Sequence, residues 1–146
     1  LSPIQKPSII LPQVWSVGNE TEVIADNSEH ASIDIPTEYL QEKIIHIIAT
    51  EIVVAGTPGN LWCWVELSPV DSDTSTAYWA AIGGGGGALV PTSPVIEVGT
   101  GTNGTIHTLI IPWTSHSAYA RLIVQTPSPS ATAYWAVQAI FSGKGY

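Results

Sequence analysis

This chain has no methionine, a single cysteine, a single phenylalanine and only four lysine or arginine residues among 146. Each scarcity removes a class of protein. A solitary Cys63 cannot close an intrachain disulfide, so the fold is not a cross-linked miniature scaffold. Four bases against twelve acids, a net charge of −8, cannot neutralise a run of phosphates, which argues against nucleic acid as a partner and against an anionic membrane surface. No apolar run reaches the ~18 residues of a membrane-crossing helix. Charged residues make up 11% of the chain, where an average soluble domain carries about 25%. Much of the exterior is therefore Ser, Thr, Gly, Pro or apolar side chains. A surface so short of charge is poorly protected from association.

What is abundant points to sheets. The 45% hydrophobic content is carried by Ile, Val, Ala, Trp and Tyr, which favour pleated packing over a helical bundle. The pentapeptide Thr-Ala-Tyr-Trp-Ala occurs twice, at 76–80 and at 132–136, and each copy closes a segment that opens with Ile-His, at Ile45-His46 and Ile106-His107. Residues 44–55 alternate with enough apolar character for a strand buried on both faces. Residues 61–67 alternate strictly, with Trp62, Trp64 and Glu66 on one side and Leu61, Cys63, Val65 and Leu67 on the other. Turn clusters separate such runs, at 56–60 and at Asn103-Gly104. Thr37 to Lys43 predicts at most one or two helical turns, with Thr37 as N-cap. The expected fold is all-β: one domain over 20–146, an antiparallel sandwich of about eight strands, wound as a Greek key or jelly roll.

Residues 1–19 stand apart. Pro3, Pro7 and Pro12 forbid a helix and a central strand, which predicts an extended N-terminal arm. Its apolar side chains Ile9, Ile10, Leu11, Val14 and Trp15 are the expected subunit contacts, laid on the chain's own sandwich or on a neighbouring copy.

Catalytic constellations are wanting. His46 and His107 hold matching positions in the two units, which suits a shared structural role better than a duplicated active site. His30 and His116 carry little signal. Most carboxylates sit at turns or beside other acids, the pattern of a solvated surface rather than of a general acid in an apolar pocket. The run Gly83 to Gly87 has no Lys-Ser/Thr behind it and is no phosphate cradle. No cofactor is expected; Asp71-Ser72-Asp73 and Asp26-Asn27-Ser28-Glu29 are the two loops whose oxygens suit Ca2+. Cys63, flanked by two tryptophans and far from positive charge, is expected to be a buried structural thiol.

The aromatic residues are more telling. In a strand, the Tyr and Trp of each repeated pentapeptide face opposite ways, so one ring fills the core and the other faces out. Plain core packing accounts for most single rings; Trp62, Trp64, Tyr78 and Tyr134 are the outward candidates. Flat exposed rings stack on sugars or anchor protein contacts. The expectation is a non-enzymatic structural subunit that assembles with copies of itself, and with other structural proteins, in an extracellular or virion structure such as a capsid, decoration, spike or filament. The alternative is a carbohydrate-binding sandwich that takes a glycan on those rings.

Overall fold

In the computed structural model, which describes residues 4–13, 21–82, 95–96 and 99–145, the alternating runs become eleven strands. They are β1 (Ile4–Leu11), β2 (Glu22–Ile24), β3 (His30–Ala31), β4 (Ile35–Pro36), β5 (Glu42–Val53) and β6 (Leu61–Ser68). After these come β7 (Ala80–Ala81), β8 (Val95–Ile96), β9 (Ile106–Trp113), β10 (Tyr119–Gln125) and β11 (Ala133–Lys144). The count exceeds the expected eight because short pieces of two or three residues pair along the edges of the long strands.

Two antiparallel sheets result, and the fold is the expected β-sandwich. The first runs β1-β11-β5-β9, with β2 also on β11; the second runs β3-β10-β6-β7, with β4 on β10 and β8 on β6. The period of two decides what lies between them. On β5, Ile45, Ile47 and Ala49 are buried and belong to the core, as do Leu61, Cys63 and Val65 on β6, Leu122 and Val124 on β10, and Trp135, Val137 and Phe141 on β11. Each large aliphatic among them contributes about 1.5–3 kcal/mol through removal from water.

The predicted arm is a strand. β1 pairs antiparallel with β11, and two register shifts bend it along the sheet edge. An edge tolerates Pro7 because no neighbour needs its missing N–H. Ile10 and Leu11, expected as subunit contacts, are 0% and 1% exposed within this chain's own core, and Ile9 is half-buried on the outer side. Val14 and Trp15 lie outside the described residues, as does the glycine run. The predicted helical turns at Thr37 to Lys43 are also corrected. Leu40 N donates to Thr37 O at 3.0 Å in one tight turn, and β5 has begun by Glu42.

The internal repeat is only partly structural. β5 and β9 lie side by side in the first sheet, and β6 and β10 in the second, so the opening two strands of each unit occupy matched places. The pentapeptides part company. The second copy enters β11, with Trp135 wholly buried, whereas the first forms a turn that ends in the two-residue β7. His46 and His107 do not match either: His46 faces out from β5, and His107 faces in from β9.

Candidate functional site

The four aromatic candidates do not share a surface. Trp62 and Trp64 project from the outer face of the second sheet, Tyr134 projects from the outer face of the first, and Tyr78 lies 57% exposed in the turn before β7. Trp64, expected to be exposed, is only 9% so. The reason is a network that closes this face on itself. Arg121 Nε donates to Glu66 Oε1 at 2.9 Å, Trp64 Nε1 donates to Glu66 Oε2 at 3.2 Å, and the Arg121 guanidinium sits 4.4 Å from the centroid of Trp79. Ile123, opposite Trp64 on β10, is 1% exposed. The Glu66 carboxylate, the Arg121 guanidinium and the Trp64 indole N–H are engaged with one another, and the four candidate rings are spread over two faces and a turn.

Three polar clusters remain. The most buried one centres on Glu51, although carboxylates are ordinarily solvated. Glu51 is 0% exposed, facing inward at the end of β5. Its carboxylate accepts hydrogen bonds from Thr100 N, Thr100 Oγ1 and Gly101 N, each at 2.9 Å, and His107 Nε2 lies 2.7 Å from Oε2. Burial alone pushes this carboxyl up, but the bonds from His107, Thr100 and Gly101 together outweigh it and hold the group at about 2. His107 in turn meets Trp135 edge to face at 5.2 Å, and Trp135 Nε1 donates to Gly59 O at 2.8 Å. The signal available was parity: Glu51 shares its phase with Ile45, Ile47 and Ala49.

The second cluster joins Glu22, Asp26, Ser28 and His30. His30 Nδ1 lies 3.3 Å from Glu22 Oε1, and Nε2 lies 3.0 Å from Asp26 Oδ1 and 3.4 Å from Ser28 Oγ. The order resembles a Ser-His-Glu relay, but the serine hydroxyl is committed to Asp26. Bonds from the Ser28 hydroxyl, from His30 and from Ser28 N hold the Asp26 carboxyl at about 2. The cluster fastens a turn. The third, around Asp71, is also a turn: Thr74 N donates to Asp71 Oδ1 at 2.7 Å, and Ser72 is held by Asp34 at 2.7 and 2.9 Å. Both candidate calcium loops thus direct these oxygens at their own donors. Among the described residues, no three His, Cys, Asp or Glu side chains gather at a metal-holding distance.

The first sheet's outer face is different in kind. Successive rows cross it: Ile9, Ile140, His46 and Ile110; then Gln138, Ile48 and Thr108; then Val23, Ala136, Thr50 and Ile106. Ile106 is 63% exposed, and Ile110 and Val23 are each 51% exposed. The outward charges of β5 and β11, Glu42 and Lys144, lie opposite each other at one end. There a depression of about 440 Å3 is lined by Pro7, Ile44, Pro112 and Ser142 together with that pair. An antiparallel sheet with one face on its core ordinarily turns a polar face to water. This one is mainly apolar there as well, with His46, Gln138, Thr108 and Thr50 set among its Ile, Val and Ala. The sequence carried the signal, since residues 44–55 read as a strand buried twice over, yet among the described residues only the inner half is covered.

Cys63 faces the core, where burial pushes its thiol up. It is expected to resist a thiol-reactive probe in the native state and to react at once in denaturant; labelling at equal rates in both would place it elsewhere. Comparison with protein-family models, curated proteins and solved structures returns no match.

Proposed function

We propose that this chain is a non-enzymatic structural subunit that assembles with copies of itself in an extracellular or virion structure, as a capsid, decoration, spike or filament component. One observation carries the reading. The outer face of the first sheet is mainly apolar and exposes Val23, Ile106 and Ile110, while the comparable groups of the second sheet, Trp64 and Ile123, are covered within the chain. Large exposed apolar patches on a folded domain mark association surfaces. Sparse charge supports the same conclusion, and the Glu51, His30 and Asp71 clusters are each occupied in holding turns or strand ends. The extracellular or virion setting rests on architecture, since double-sheet sandwiches are common shell-forming units. The net charge of −8 favours an outer position over one lining nucleic acid.

Sedimentation of the native chain over a concentration series tests this. The expected result is a mass that rises above the monomer's. Ile110→Asp should weaken association at least about 10-fold, because a carboxylate would be buried in an apolar contact. Its thermal midpoint should hardly move, as substitutions at exposed positions usually cost no more than about 0.5 kcal/mol. A chain that stays monomeric at every concentration would refute the proposal.

A further inference from the structure

Resting on that reading, we infer that the primary contact is a closed two-fold dimer in which two copies stack the outer faces of their first sheets, with the symmetry axis running along the strands between β5 and β11. The area suffices. Four strands of eight to twelve residues, spaced about 4.8 Å apart and rising about 3.4 Å per residue, present roughly 500–800 Å2. A stable dimer asks about 800 Å2 of each partner.

Register selects the orientation. β5 and β11 are adjacent and antiparallel, with Glu42 opposite Lys144, Ile44 opposite Ser142, His46 opposite Ile140 and Thr50 opposite Ala136. A two-fold axis along the strands exchanges β5 for β11 across the interface. Each copy's Glu42 then faces Lys144 of the other, giving two ion pairs. Ile44 packs over the small Ser142, Thr50 packs over Ala136, and Ile9 on β1 meets Ile110 on β9. An axis across the strands would instead set Glu42 and Lys144 against the opposite end of the face, over Ile52 and Tyr134, and give the four charges no partner from the other copy. Glu42 and Lys144 are both exposed, and no ion pair joins them among the described residues. Both are therefore free to pair between copies. Among the described side chains of β5 and β11 that face outward, Glu42 and Lys144 are the charged ones, so the contact sets one acid against one base in each half.

The test uses E42K and K144E, each in the full chain. Either variant alone sets like charges against each other twice in a homodimer, and its association should weaken at least about 10-fold by sedimentation. Mixed in equal amounts, the two variants should restore wild-type association, and native mass spectrometry should find one of each in the dimer. Neither variant can repair its own charge pattern, so rescue on mixing can come only from contact between copies. If a melting curve shows either variant unfolded, E42R and K144D replace them. A wild type that associates, with single variants that associate equally well or a mixture that shows no rescue, overturns this arrangement and leaves the assembly reading intact. A monomeric wild type removes both.

Discussion

Glu51→Ala is expected to lower the stability of the folded chain by about 3–5 kcal/mol, because it leaves the donors around a buried carboxylate without their acceptor. Thr100 N and Gly101 N would lose a partner, as would the Thr100 hydroxyl and His107. For a domain of this size the thermal midpoint should fall on the order of 10 °C. Glu51→Gln keeps the shape but turns an NH2 group toward N–H donors, and about 2–3 kcal/mol should go. Acid should reproduce part of this. The folded carboxyl sits at about 2 against an ordinary 4.5, so on acidification the unfolded chain takes up its proton first. The contribution of Glu51 is complete above about pH 4.5 and is lost as pH falls toward 2. Chemical denaturation at several pH values should show stability falling through that window in the native chain, and falling less steeply in Glu51→Gln. Equal slopes would mean that other carboxylates govern the acid limb.

Trp135→Ala should cost about 3–5 kcal/mol by the cavity it opens. Trp135 is 0% exposed, and its indole N–H is the donor to Gly59 O. The informative measurement is the double variant. His107 touches both residues, at 2.7 Å to the carboxylate and 5.2 Å between ring centroids, and Glu51 lies opposite Trp135 in the pairing of β5 with β11. Removing either loosens what the other holds. The combined loss should therefore fall short of the sum by on the order of 1 kcal/mol. Strict additivity would show that His107 transmits nothing between them.

Periodicity made the sandwich legible, and it also hid the polar features. The run 61–67 placed Cys63 on the face opposite its flanking tryptophans, and in β6 Leu61, Cys63 and Val65 join the core with Leu67 packed against it. Strict alternation leaves one solution, since a slip of one residue would turn the whole strand inside out. The β1 segment misled because proline spacing speaks to hydrogen-bond donors and says little about where neighbouring side chains are buried; Ile10 and Leu11 fill the core from an edge where Pro7 is harmless. One consequence is practical: trimming residues 4–11 would test stability before it tested assembly. Glu51 and Lys43 are inconspicuous in the sequence for a related reason. Composition marks Glu and Lys as solvent-facing, and only their even spacing from Ile45 and Ile47 shows that they point inward. The identical pentapeptides have unlike fates because Trp135 lies on a central strand and Trp79 on a turn under Arg121, a tertiary difference that five letters do not encode.

Lys43, 3% exposed, donates to Ser115 O at 2.9 Å and to Leu40 O at 3.3 Å at one end of β5, while Glu51 is held by residues 100–107 at the other end. Opposite ions thus stand as stops at the two ends of one strand. Sliding β5 by two residues would keep every side chain on its proper side, so greasiness alone would not notice. Such a slide would drag one ion toward the dry layer of Ile45 and Ile47 and pull the other off its donors. The chain therefore measures lengthwise position as well as facing, and misaligned ladders are rejected by electrostatics where packing would let them pass.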